Sequence, residues 1–73
     1  MFKLIGTPYC ARCENLKRKF EEQDIDFDYE LIGDLPLDLQ EEIKELALTA
    51  GLQQFPIILD ITYKAIFTEE EIL

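Results

Sequence analysis

Seventy-three residues, 48% of them hydrophobic, make at most one domain, spanning 1–73, near the lower limit at which a single core holds a fold without staples. A net charge of −9 argues against general nucleic-acid binding, which depends on neutralising phosphates. The apolar residues come in short runs, none near the ~20 needed to span a bilayer, and Met1 leads straight into a strand pattern instead of a leader segment. A soluble, cytoplasmic chain without membrane contacts is therefore expected.

Phe2-Lys3-Leu4-Ile5 is a short apolar run closed by Gly6, Thr7 and Pro8, which reads as a strand entering a turn. From Ala11 to about Gln23 the residues are good helix formers, and Cys13, Leu16 and Phe20 fall on one stripe at helical spacing. Asp24-Ile25-Asp26 turns the chain into a second strand, Phe27 to Ile32, in which Phe27, Tyr29 and Leu31 alternate with Asp28 and Glu30. Gly33-Asp34-Leu35-Pro36 interrupts the pattern. A second helix follows, with Leu39, Ile43, Leu46, Ala47 and Ala50 at helical spacing, acids in its first turn, and Gly51 as its stop.

Gln53-Gln54-Phe55-Pro56 leads into Ile57-Ile58-Leu59, a continuous apolar run typical of a strand buried on both faces. Asp60 to Tyr63 turns it into a last short strand, Lys64 to Phe67. Thr68 with Glu71 three residues on is a capping-box pattern for a final helix, expected to be a stub because the chain ends at Leu73. The order predicts an α/β fold: a small four-stranded mixed sheet flanked by helices, with the first two strands parallel around a crossover, then a hairpin. A truncated last helix would take cover from one sheet face, which implies either a marginal domain or a partner that supplies the cover.

The chemistry concentrates at Thr7-Pro8-Tyr9-Cys10-Ala11-Arg12-Cys13, which holds both cysteines of the chain. A Cys-x-x-Cys pair opening a helix puts the first sulfur at the helix N-terminus, where unpaired N–H groups and the dipole stabilise a thiolate. Cys10 is thus the candidate nucleophile, Cys13 the resolving thiol one turn deeper, and Arg12 an added positive charge. A zinc site needs four ligands, and two cysteines without histidine do not supply them. A structural bridge here would close almost no loop and so add little stability, which leaves inert buried cysteines as the plain alternative to redox chemistry. A cysteine protease lacks its histidine, and the many carboxylates lie at helix-surface spacing.

Charge is unevenly distributed: residues 1–19 carry five basic side chains against Glu14 alone, whereas the remainder carries Lys44 and Lys64 against fifteen acids. The cluster Lys17-Arg18-Lys19 reads first as a solvated helix face and second as a field steering acidic partners or an anionic thiol toward Cys10. Tyr9 either stacks on a substrate beside Cys10 or packs the loop.

With Cys-x-x-Cys at the start of its first helix and a proline opening a buried strand after the second, the whole chain resembles the thioredoxin fold in its minimal glutaredoxin form. The resemblance implies a cis bond at Phe55-Pro56 beside the dithiol, and a substrate site drawing on Thr7, Pro8, Tyr9, Arg12, Phe55, Pro56 and Thr68. It implies thiol-disulfide exchange without a tightly bound cofactor. Glutathione or thioredoxin reductase would be the electron source, and disulfide-containing proteins such as ribonucleotide reductase the partners of a monomer. The Gly-Gly-acid motif with which glutaredoxins hold glutathione is replaced by Ile66-Phe67-Thr68-Glu69-Glu70, whose bulk and charge oppose close approach by an anionic tripeptide. Two further readings go with the resemblance: a non-catalytic thioredoxin-fold adaptor, and an iron–sulfur carrier using Cys10.

Overall fold

The computed structural model describes residues 1–52 and 54–73. Gln53, the first residue of the predicted lead-in to the third strand, lies outside the described residues. The elements run β1 (Phe2–Gly6), α1 (Ala11–Glu22), β2 (Phe27–Leu31), a 3-10 turn (Ile32–Asp34), α2 (Leu37–Thr49), β3 (Ile57–Asp60), β4 (Ile66–Phe67) and α3 (Glu69–Ile72). They form one mixed sheet in the order β2-β1-β3-β4, with β1 and β2 parallel, β1 and β3 antiparallel, and β3 and β4 antiparallel. This is the small α/β architecture of a minimal thioredoxin-like fold, as the order of elements predicts.

Side chains leave successive strand positions on opposite faces, so the sheet divides its core in two. On one face Leu4 and Ile58 meet Leu16 and Phe20 of α1, with Phe2, Phe27, Tyr29 and Phe67 packed around them. On the other, Ile5, Ile57 and Leu59 meet Ile43 and Ala47 of α2. The apolar run Ile57-Ile58-Leu59 is therefore buried on both faces, and the stripe Cys13, Leu16, Phe20 is the buried side of α1.

Both long helices end by the same device. Asp24 and Gly51 take positive φ, 55° and 76°. That lets the N–H of Ile25 reach the Phe20 carbonyl at 2.9 Å, and the N–H of Leu52 reach that of Ala47 at 2.8 Å. These bonds satisfy carbonyls that a helix end otherwise leaves open. Asp24 adopts this conformation because a short polar side chain tolerates the left-handed region, and Gly51 because it has no Cβ.

Several details differ from the sequence expectation, among them Asp60, read as opening the turn, which instead ends β3 opposite Phe2. The first strand continues through Gly6, which pairs with Leu31 instead of opening the turn. Because that is the last parallel pair, the second strand stops at Leu31, and Ile32 enters the 3-10 turn. The last strand is confined to Ile66–Phe67. Lys64 and Ala65 instead donate their N–H groups to Asp60 Oδ1 at 2.8 and 3.0 Å, and so belong to the turn. Finally, the capping box does not form: Thr68 makes no side-chain cap bond, and the N–H of Glu71 bonds to the Thr68 carbonyl at 3.2 Å.

Candidate functional site

β1 delivers the chain to the edge of the sheet, where Thr7 is half-buried and Pro8 and Tyr9 are exposed. Tyr9 has φ 57° and a fully exposed ring, so it does not pack the loop. The positive φ turns the chain sharply into Cys10, which caps α1 from an extended conformation. Its Sγ accepts a hydrogen bond from the N–H of Cys13 at 3.1 Å, and its carbonyl accepts from Glu14 at 3.2 Å. Cys10 is half-buried and Cys13 fully buried. The two are joined as a disulfide, with Cα atoms 5.3 Å apart.

The β1–β3 register sets the neighbours of this loop. Ile5 faces Ile57, so one further step along the same register sets Pro56 beside Gly6. The Phe55–Pro56 bond is cis, and both residues are half-buried. From the same loop, the side chain of Gln54 accepts a hydrogen bond from the Arg12 guanidinium. Arg12 thus ties the first turn of α1 to the residues ahead of β3. Thr68 continues β4 at this same end of the sheet, where the β3–β4 register sets it beside Ile57, with β3 alone between it and β1 and its side chain exposed. The structure therefore brings Cys10, Cys13, Arg12 and the Phe55-Pro56 loop together at one end of the sheet, with Thr68 one strand further across it.

Beyond Arg12, the basic residues of α1 pair within the helix or with α3. Lys17 Nζ lies 3.2 Å from Glu14, Arg18 donates to Asn15 at 2.8 Å, and Lys19 is 3.9 Å from Glu69. Such exposed pairs are screened and weak, so they leave most of the field of the helix face in place.

Two residues at the dithiol escaped the sequence reading. Gly6 is buried, and a Cβ built on it would fall 2.9 Å from Cys13 Sγ and 2.8 Å from Tyr29 Cζ, with the Tyr29 hydroxyl closer still. The sulfur of Cys13 and the phenol of Tyr29 thus fill the space that a side chain at position 6 would take. Tyr29 is itself held from behind by Lys17, whose Nζ lies 4.2 Å from the ring centroid. The available signal was positional: in a parallel pair of strands, Leu4 opposite Tyr29 puts the next residue on that face of β1, Gly6, alongside the ring.

The perturbed titrations lie elsewhere. Lys3 is pushed upward by hydrogen bonds to Glu30 and Asp28, both at 3.0 Å. Tyr63 is also raised, first by burial and then by its own bond to Glu30 at 3.0 Å. Both belong to the α2 face. Asp60 is lowered to about 2 by its bonds from Thr62, Ala65 and Lys64 in the β3–β4 turn. Among the described residues no group of three or more Cys, Asp or Glu side chains is gathered as a metal ion would require, and no helix is long and apolar enough to cross a membrane.

No curated protein matches the chain. A protein-family model does: the one described as Glutaredoxin, over residues 2–60, which takes in the dithiol, both long helices, the cis-proline loop and β3.

Proposed function

The chain belongs to the glutaredoxin family, and from that premise we propose that it is a dithiol oxidoreductase that reduces protein disulfides or glutathione mixed disulfides. The observation that carries this reading is the position of the Cys10 sulfur at the head of a twelve-residue helix, with the N–H of Cys13 aimed at it. A donor and a helix N-terminus fixed at that point favour negative charge on the sulfur, and the thiolate is the attacking species. Cys10 attacks a substrate disulfide, forms a mixed disulfide and releases one substrate sulfur as a thiol. Cys13 then attacks Cys10 Sγ, which forms the Cys10–Cys13 disulfide and releases the second substrate thiol. Two electrons pass from the protein to the substrate, and a cellular thiol system restores the dithiol.

In this reading Arg12 adds positive charge near Cys10, and the exposed Tyr9 stacks on what approaches. Thr7, Pro8, Phe55 and Pro56 form the walls of the substrate site, with Thr68 at its far rim. The protein acts as a cytoplasmic monomer without a tightly bound cofactor. Glutathione serves as co-substrate where it is the donor, and thioredoxin reductase is the other source of electrons. Ribonucleotide reductase is a fitting acceptor, because small donors of this build reduce disulfides of that kind.

Oxidation of NADPH in the presence of glutathione, glutathione reductase and a small mixed disulfide tests the reading. Turnover by the wild type and none above background by Cys10→Ser is the expected result. Equal rates for the two proteins would overturn the assignment of Cys10. A rate that appears only with thioredoxin reductase would move the donor and keep the chemistry.

A further inference from the structure

The pairing of Tyr29 with Cys13 has no part in the scheme above. Cys13 is fully buried, on the sheet face whose buried centre is Leu4, Leu16, Phe20 and Ile58. The resolving step nevertheless requires this sulfur to pass through a thiolate, and burial in apolar surroundings opposes that charge. Burial alone would make Cys13 a slow nucleophile. The titratable groups beside it are Cys10, on the same helical turn, and Tyr29, reaching over from β2, with Lys17 behind the ring. Leu4 and Gly6 of β1 bring no charge.

We propose that Tyr29 is a positioning residue for the resolving thiol, its hydroxyl donating a hydrogen bond to Cys13 Sγ whenever that sulfur carries negative charge. The inference rests on the exchange mechanism proposed above. Three observations carry it. The Cys13 sulfur and the Tyr29 phenol crowd the same point above Gly6, where only a glycine leaves room. The cation of Lys17 over the ring fixes the phenol in that place. Among the described residues no hydrogen bond engages the Tyr29 hydroxyl while Cys13 is in the disulfide. A disulfide sulfur is a poor acceptor and a thiolate a strong, charged one, so this donor discriminates between the two states.

The step balances without another reactant. Cys13 gives up its proton, its thiolate attacks Cys10 Sγ of the mixed disulfide, the new Cys10–Cys13 bond forms, and the leaving substrate sulfur ends as a thiol carrying one proton. Tyr29 keeps its own proton throughout; it stabilises the charge without accepting it.

A symmetrical chromogenic aryl disulfide separates the two halves of the reaction, because one coloured thiol is released when Cys10 attacks and a second when Cys13 resolves. In stopped flow, Tyr29→Phe is expected to leave the first phase within about twofold of wild type and to slow the second about tenfold, the scale of one hydrogen bond to a charged group. Tyr29→Leu, which loses ring and hydroxyl together, should slow the second phase at least as much. A second phase in Tyr29→Phe within about twofold of wild type would overturn the proposal, as would equal slowing of both phases. Loss of a Cys10-dependent first phase in the wild type would instead defeat the exchange mechanism itself, and the proposal with it. As a readout that mere packing would not move, the Cys13 ¹³Cβ NMR resonance in the Cys10→Ser protein should titrate about one pH unit higher once Tyr29→Phe is added. An unchanged midpoint would remove the hydroxyl from the mechanism.

Discussion

The two faces of the sheet bury comparable cores from different materials. The α2 face is aliphatic, with Ile5, Ile43, Ala47, Ile57 and Leu59 at its centre, and it is bounded by charge where Lys3 meets Asp28 and Glu30. The α1 face is aromatic. Phe2 meets Phe20 and Phe67 edge-on, with centroids 5.9 and 5.4 Å apart, and Phe20 meets Phe27 at 5.6 Å. Edge-to-face rings add directional attraction to area burial. That packing fixes α1 on the sheet, and α1 carries Cys10 at its N-cap and Cys13 in its first turn. The α2 face supports the other half of the site from a distance, by holding β3 under the Phe55-Pro56 loop. One face therefore carries the two cysteines and the other supports the Phe55-Pro56 loop.

Deleting the centre of each face sharpens this contrast. Phe20→Ala should cost ~3–5 kcal/mol and Ile43→Ala ~2–4 kcal/mol in chemical denaturation, since both side chains are fully buried. The telling readout is the dithiol. Phe20→Ala should disturb the rate of the resolving step in the protein that remains folded, whereas Ile43→Ala should change stability with little effect on that rate. The reverse pattern would break the division of labour between the faces.

A smaller change probes the crowding above Gly6. The methyl of Gly6→Ala would meet the Cys13 sulfur and the Tyr29 ring inside normal contact distance, at an expected cost of ~1–3 kcal/mol. The same variant should slow resolution by Cys13 more than attack by Cys10. A Gly6→Ala protein with wild-type stability and kinetics would show that the sulfur and the phenol have room to spare.

The smallest effect lies in the β3–β4 turn, away from both cores. Asp60 has a folded-state pKa of about 2 against an ordinary 3.8. Because the folded value is the lower one, its contribution is complete above about pH 4 and is lost as the pH falls toward 2. Asp60→Asn should therefore lower the thermal midpoint by at most a few degrees at neutral pH, with the difference from wild type fading below pH 3. A difference that stayed constant across this range would assign the effect to shape and not to charge.

Most of the scaffold was readable because each part has a local cause. The stripe Cys13, Leu16, Phe20, the alternation of Phe27, Tyr29 and Leu31, and the doubly buried Ile57-Ile58-Leu59 are periodicities, and periodicity survives in one dimension. Gly51 stopped α2 for a reason of its own backbone. Thr68 misled because a capping box depends on which of two oxygens takes the Glu71 N–H, and the carbonyl is the nearer competitor in a single-turn helix. Gly6 and Tyr29 stayed hidden for a different reason. One reads as turn punctuation and the other as ordinary strand alternation until the parallel register lays β2 beside β1. Arg12 was legible as a charge near Cys10, but its bond to Gln54 joins residues that only the fold brings together.

Attack by Cys10 followed by resolution by Cys13 is the proposed order of events. The most direct measurement is mass spectrometry of acid-quenched reactions with a protein or glutathione disulfide, in wild type, Cys10→Ser and Cys13→Ser. The account predicts an intramolecular disulfide in the wild type, a substrate adduct mapped to Cys10 in Cys13→Ser, and no adduct in Cys10→Ser on the same timescale. An adduct mapped to Cys13, formed as fast without Cys10 as with it, would contradict the account.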